Sequence, residues 1–272
     1  MKLLALRLFL FIFSRPIFFK LFYNIQKIAL VAMNRLSPSL LSVEETGEKI
    51  ACKWIISKLS GNNLTIFDCG GNQGHYTKML ENVLEEKKIS YNIHVFEPST
   101  KAFETIKSVF AKNPAIQVHK IAVSDTNEKT RLYFMWEGAG GASLNDSASQ
   151  AYLDKNESLS YEEVQCTRLD DFCAEKNIAK VDFIKLDIEG FELKALDGIR
   201  NMIAQNNIRF IQIEQGSASL STKQFLFDFW QLMEEKYNFY IVLQQGLLKI
   251  SHYNPNLECF WGATNFVLEL KS

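Results

Sequence analysis

The feature that most constrains this chain is the run Asp68-Cys69-Gly70-Gly71-Asn72-Gln73-Gly74, which closes a β-rich stretch at 64–69 and opens an amphipathic one. Glycines at such a crossing let the backbone turn sharply and approach a ligand that a Cβ would obstruct. After it, Tyr76, Met79, Leu80, Val83 and Leu84 recur at helical spacing, and residues 91–96 form a second β-rich run. The spacing predicts a βαβ unit of two parallel strands joined by a helix, with a nucleotide-like ligand at the loop.

Two acids narrow the ligand. A GxGxxG dinucleotide fingerprint needs glycine where Cys69 stands, so the match to it is incomplete. A pyrophosphate seeks the partial positive charge of a helix N-terminus, and a carboxylate at Asp68, expected at the mouth of the loop, opposes it. The ammonium and sulfonium of S-adenosylmethionine are instead favoured there. Glu97 follows the second strand, 23 residues beyond Gly74, where a carboxylate accepts hydrogen bonds from ribose hydroxyls. The plainer reading makes Asp68 a turn cap and Glu97 a strand-end charge; the order strand, acid, glycine loop, helix, strand, acid favours the cofactor.

The alternation continues through the chain and predicts an α/β layer structure. Phe103, Ile106, Val109 and Phe110 mark a helix, 116–123 a strand, 181–186 a strand, 191–203 a helix and 208–213 a strand. Residues 225–237 read as a helix, and 239–243 and 265–270 as strands. Residues 131–168 interrupt this order as a hairpin-like insertion with a long tip.

Charge is unevenly placed. The net charge is −1, yet the first 43 residues carry +6 without an acid and the remainder carries −7. An acidic main domain argues against broad nucleic-acid binding, which draws its affinity from basic surface. The opening segment is crowded with Phe9, Phe11, Phe13, Phe18, Phe19 and Phe22, and Lys2, Arg7, Arg15, Lys20, Lys27 and Arg35 break it so often that no uncharged run exceeds eight residues. That disfavours a spanning helix and, with Arg7 splitting the apolar region, a secretory signal. Peripheral membrane contact through residues 1–36 suits this composition; the alternative is a helix, kinked near Pro16, packed on the domain or on a second subunit. Ser37-Pro38-Ser39 reads as a linker, giving an N-terminal segment 1–43 and a domain 44–272. The five cysteines lack a CxxC pair, which favours a reduced, cytoplasmic chain, at the membrane surface if the segment binds there.

The chain resembles the FkbM family of S-adenosylmethionine-dependent methyltransferases. The resemblance rests on 67–74, on His94-Val95-Phe96-Glu97-Pro98, on Ile121-Ala122-Val123-Ser124-Asp125, and above all on the Lys185-x-Asp187-x-Glu189-Gly190-x-Glu192 block. It implies a Rossmann-like fold with a seven-stranded, mostly parallel sheet, helices on both faces and an antiparallel last strand. It also implies a hydroxyl acceptor on a small molecule, a sugar, a lipid-linked sugar or another natural product. Carried over by position, Asp68, Gly70, Gly71, Asn72 and Gly74 surround the methionine portion of S-adenosylmethionine, Glu97 holds its ribose, and Ser124 and Asp125 flank its adenine. Ser143 is similar to a residue near the site mouth.

A neutral hydroxyl must lose its proton as it accepts a methyl, so a positioned base is useful. Asp187 and Glu189 are the candidates, because they follow a central strand at the edge where open α/β sheets bind ligands. Lys185, two residues earlier, shares a strand face with Asp187 and is expected to orient it. Either acid is also suited to cap the helix that follows. The preferred assignment puts Asp187 at the transfer centre and Glu189 on the acceptor. His75 is an auxiliary candidate, and His94, His119 and His252 show no metal-ligand spacing, so no metal is expected. The competing classes are an NAD-dependent oxidoreductase or sugar-nucleotide modifier on the same sheet, and a noncatalytic, membrane-associated cofactor binder.

Overall fold

The computed structural model describes residues 2–34, 45–61, 63–135, 141–146, 159–258 and 262–272. The Ser37-Pro38-Ser39 linker, Gly140, Cys259 and most of the tip of the insertion lie outside them.

Period-two alternation builds the central sheet. In β1 (Asn63–Cys69), Leu64 and Ile66 enter the core on one face while Phe67 and Cys69 enter the core on the other. Helices α3 (Glu48–Lys58), α4 (His75–Glu86) and α5 (Thr100–Val109) cover the first face. Helices α6 (Leu169–Lys176), α7 (Glu192–Gly198), α8 (Arg200–Ala204) and α10 (Leu226–Met233) cover the second, and the short α9 (Ser217–Thr222) follows β8. A sheet buried on both faces needs apolar residues at nearly every position, and β7 (Val181–Leu186) is buried throughout.

The sheet departs from the expected seven strands. It has eight, in the order β10-β9-β11-β8-β7-β1-β2-β3, with β2 at Ser90–Phe96, β3 at Ile116–His119, β8 at Ile208–Gln215, β9 at Tyr237–Leu243, β10 at Gly246–Ile250 and β11 at Thr264–Leu270. Four pairings are parallel, from β3 to β8, and three are antiparallel. The last strand, β11, is antiparallel as expected and is threaded between β8 and β9, so β9 runs in the same direction as β8. The extra strand arises because the chain doubles back after Leu243 in a tight turn, and β10 pairs with β9 at the sheet edge.

The run 116–123 is two strands rather than one. The chain bends at Lys120 and Ile121, and β4 (Ala122–Val123) leaves the main sheet to pair with β6 (Ser160–Thr167), which in turn pairs with β5 (Lys129–Phe134). The insertion is thus a hairpin extended into a three-stranded sheet. The helix expected over 191–203 is also divided, at Ile199. Gly198 there lies so close to the Ser124 carbonyl that a Cβ would stand 2.1 Å from its oxygen.

The N-terminal arm consists of α1 (Lys2–Phe13) and α2 (Pro16–Ala32), broken where Pro16 begins the second helix. Phe13 touches Phe18 and Phe22 across the break, and Phe9 also reaches Phe22. Just past α2, the buried Asn34 side chain donates to the carbonyls of Thr46 at 2.6 Å and Val242 at 3.1 Å.

Gly198→Ala tests the close approach of α7 to Ser124. The added methyl overpacks a backbone contact, and we expect a loss of about 1–3 kcal/mol, measured as a lower urea midpoint with an unchanged slope.

Candidate active site

The carboxyl ends of β1, β2 and β7 converge on a cleft of about 760 Å³, part of it open to solvent. Its floor is set by Gly70. Gly70 N–H donates to the Phe96 carbonyl at 2.9 Å and Asp187 N–H to the Cys69 carbonyl at 3.0 Å, tying the three strand ends together. The φ of Gly70 is 92°, and a Cβ would lie 1.8 Å from the Asp187 carbonyl oxygen, so no other residue fits.

Glu97 forms one wall. Its two carboxylate oxygens accept the backbone N–H groups of Asn72 at 2.7 Å and Ser99 at 2.9 Å, which fixes the group while leaving further lone pairs for the cleft. Burial pushes its pKa up to about 7 against the opposing pull of those two donors. An immobilised carboxylate with spare acceptor capacity suits a pair of ribose hydroxyls. Gly70 and Asn72 line the cleft beside it. Gly71 and Gly74 lie behind: a Cβ on Gly71 would strike Val95 at 2.4 Å, and one on Gly74 would press Phe110 at 3.1 Å. They let α5 pack against the loop.

Asp68 is not at the loop mouth. It is fully buried beneath the loop, where Oδ2 accepts the Thr77 hydroxyl at 2.5 Å and Oδ1 has no hydrogen-bond partner among the described residues. Burial raises its pKa, with the Lys185 charge opposing. On the far wall it is Ala122 and Val123 that line the cleft, with Leu132 from the insertion. Ser124 and Asp125 sit just beyond, the Ser124 hydroxyl donating to Asp125 at 2.9 Å and Lys194 standing 3.6 Å from the same carboxylate.

Asp187 and Glu189 both line the cleft. Lys185 is buried beneath them and donates to Asp187 Oδ2 at 2.6 Å, with its ammonium 3.6 Å from Glu48 and 4.5 Å from the centre of the Tyr76 ring. Burial alone would lower the Lys185 pKa; Asp187, Glu48, Asp68 and Glu214 together outweigh it and hold the pKa above the ordinary value. Glu189 has a left-handed backbone, φ 50°, and its carbonyl accepts the Ser143 hydroxyl at 2.7 Å. Burial, reinforced by Asp187 and Glu192, pushes the Glu189 carboxyl up to about 8.

No side chain caps the helix that follows, so neither acid takes the capping role. Glu192 Oε1 accepts the N–H groups of Ile188 at 3.0 Å and Gly190 at 3.2 Å and so braces the loop that carries Asp187 and Glu189. Glu48 and Glu214 are additions that sequence reasoning did not single out. Glu214 ends the strand beside β7, so its place at the same sheet edge was a usable signal; Glu48 comes from a distant helix and carried none. His75 is exposed and is not among the residues lining the cleft. His94 and His119 face each other at 3.0 Å against Phe172, and burial lowers both to about 4, so they pack as neutral rings.

The methyltransferase FkbM domain matches residues 68–241, well over half of the chain. This chain belongs to the FkbM methyltransferase family. It is therefore an S-adenosylmethionine-dependent methyltransferase, and the dinucleotide reading is set aside. A curated relative, the 2-O-methyltransferase NoeI of Sinorhizobium fredii (strain NBRC 101917 / NGR234), is 24% identical over 174 residues, covering 61% of this chain and 69% of that protein. Among solved structures, methyltransferase FkbM from Methylobacillus flagellatus KT is 16% identical with a TM-score of 0.47, covering 88% of this chain. This chain spans 57% of that protein. A putative rRNA methylase from Clostridium thermocellum gives 10% identity and a TM-score of 0.43 over 86% of this chain and all of that one.

The raised Glu97 pKa has a measurable consequence for this FkbM methyltransferase. With Glu97 as the expected ribose partner, ribose hydroxyls would donate to the ionised carboxylate, binding would favour proton release, and affinity for S-adenosylmethionine would weaken as pH falls from 8 through 7. Calorimetric titration at pH 6, 7 and 8 checks this. In Glu97→Gln the affinity is at least about tenfold lower, as expected for a buried hydrogen-bonded charge removed, and this pH dependence is gone.

Proposed function

We propose that this enzyme O-methylates a hydroxyl of a sugar, a glycolipid or another natural product, with Asp187 taking the hydroxyl proton. The observation that carries the reading is the placement of Asp187: it faces the cleft across from Glu97, and a buried ammonium 2.6 Å away fixes its carboxylate. The 2-O-methylation named for the relative NoeI supports an oxygen acceptor.

S-adenosylmethionine, when bound, supplies an electrophilic methyl on a sulfonium. Glu97, Gly70 and Asn72 are the residues to hold it, and the apolar wall of Ala122, Val123 and Leu132 is suited to a flat heterocycle. What remains for the protein is to hold the acceptor oxygen in line with that methyl and remove its proton. Lys185 orients Asp187 for the proton. Glu189, protonated below about pH 8, has an O–H to donate to an acceptor oxygen and so positions it. Ser143, through the Glu189 carbonyl, keeps that side chain at the rim.

Methyl transfer to a panel of sugars and glycolipids, followed by mass spectrometry, tests the reading. Asp187→Asn is expected to lower kcat by about 100-fold or more, with S-adenosylmethionine affinity within about threefold. Glu189→Gln keeps a donor and loses less than about tenfold. Wild-type turnover falls as pH rises through about 8, where Glu189 ionises beside Asp187, and Glu189→Gln is flat there. Full turnover in Asp187→Asn would remove it as the base.

A further inference from the structure

The N-terminal arm is the largest feature that the reaction leaves unused. Its apolar side chains are turned outward on both helices: Leu4 is 74% exposed, Phe11 73%, Ile17 80%, Phe19 72% and Ile28 69%. Contiguous apolar surface of this kind marks an interaction site. α2 has no buried residue along its 17 positions, so the domain does not cover it.

Charge and shape select the occupant. Arg7, Arg15, Lys20 and Lys27 are exposed among these apolar residues, and the arm contains no acid. Lys20 and Lys27 lie seven residues apart, on one stripe of α2 that also carries Asn24, and apart from Gln26 and Tyr23 the other residues of the helix are apolar. A second copy of the arm would bring like charges together. A protein groove would cover one face of each helix and leave the other wet. An anionic lipid surface satisfies both properties: rings and aliphatic chains enter the acyl boundary while the cations meet headgroups. At 12 and 17 residues the helices are about 18 and 25 Å long, shorter than the ~30 Å hydrocarbon core. No helix among the described residues is long and apolar enough to cross a membrane.

The root of the arm fixes what this surface does for the enzyme. Asn34 bonds the Val242 carbonyl at the carboxyl end of β9, which runs with β8 and β7 and so ends at the edge that holds the cleft. Asn34 also bonds the carbonyl of Thr46, whose hydroxyl donates to Glu48 at 2.9 Å, and Glu48 faces Lys185. We propose that α1 and α2 form a monotopic anchor that lies in an anionic lipid surface and holds the catalytic edge of the sheet at the bilayer. Resting on the hydroxyl-acceptor reading, the consequence is that the acceptor is lipid-borne and presents its hydroxyl at headgroup level.

Flotation of the full chain with vesicles of phosphatidylcholine alone and of phosphatidylcholine with 30% phosphatidylglycerol tests the anchor without needing turnover. The chain is expected to float with the anionic vesicles at low salt. Leu4→Glu/Phe11→Glu/Phe19→Glu should weaken partition at least tenfold, and Lys20→Gln/Lys27→Gln by about fivefold per cation removed. Each variant should bind S-adenosylmethionine as the parent does, which establishes that its fold is intact. A full chain that stays at the bottom of the gradient, variants that float equally, or an arm that drives concentration-dependent self-association in place of flotation would each overturn the proposal. If the anchor holds while lipid extracts accept no methyl, the acceptor reading fails and the anchor stands.

Discussion

The buried Lys185 ammonium is the interaction on which the rest of this structure depends. Carboxylates from four other elements or loops surround it: Glu48 from α3, Asp68 from β1, Asp187 after β7 and Glu214 from β8. Removing a charge from water is costly, and four acids crowded without a cation repel one another. Burial raises the pKa of Glu48, Asp68 and Glu214 toward their neutral forms while the Lys185 charge pulls each back down, so one ammonium couples two strands, a loop and a helix electrostatically. Tyr76 closes the cage with its ring over the ammonium and its hydroxyl donating to Gln212 at 3.0 Å.

The cleft follows from that centre. With β1 and β7 in register, Gly70 meets the Asp187 backbone, and the loop that leaves Gly70 presents its Asn72 N–H to Glu97. Gly70, Glu97 and Asp187 are therefore placed by the same strand ends. The opposite wall is supplied by a separate small sheet, which the chain enters by bending at Lys120 and Ile121.

The βαβ unit, the glycine loop and the acids at strand ends were legible because each is a local pattern: period two, period 3.6, or a residue type at a strand terminus. Glu97, Asp187 and Glu189 emerged at the cleft for that reason. What was hidden depends on distant contacts. Asp68 reads as a loop residue, yet the register with Lys185 draws it under the sheet edge. Gly246–Ile250 carries no clear alternation and becomes a strand because β9 offers it an edge. The 191–203 segment has a continuous helical pattern, but it divides at Ile199, next to the point where Gly198 packs against the Ser124 carbonyl. Glu192 stands in the same acidic block, and its two bonds to backbone N–H groups of the preceding loop separate it from the acids that line the cleft.

The Ser143 hydroxyl on the Glu189 carbonyl joins the insertion to the loop after β7, while main-chain groups of β1, β2 and β7 tie the strand ends together at Gly70. The insertion therefore reaches two sides of the cleft, Ser143 meeting Glu189 and Leu132 standing in the apolar wall with Ala122 and Val123. A change of length or shape in it registers at both, and at Thr100 as well, whose N–H and hydroxyl donate to Glu162 of β6. Editing this one loop therefore reshapes the Glu189 side and the apolar wall together, while the Gly70 turn, tied to the strand ends, keeps its form.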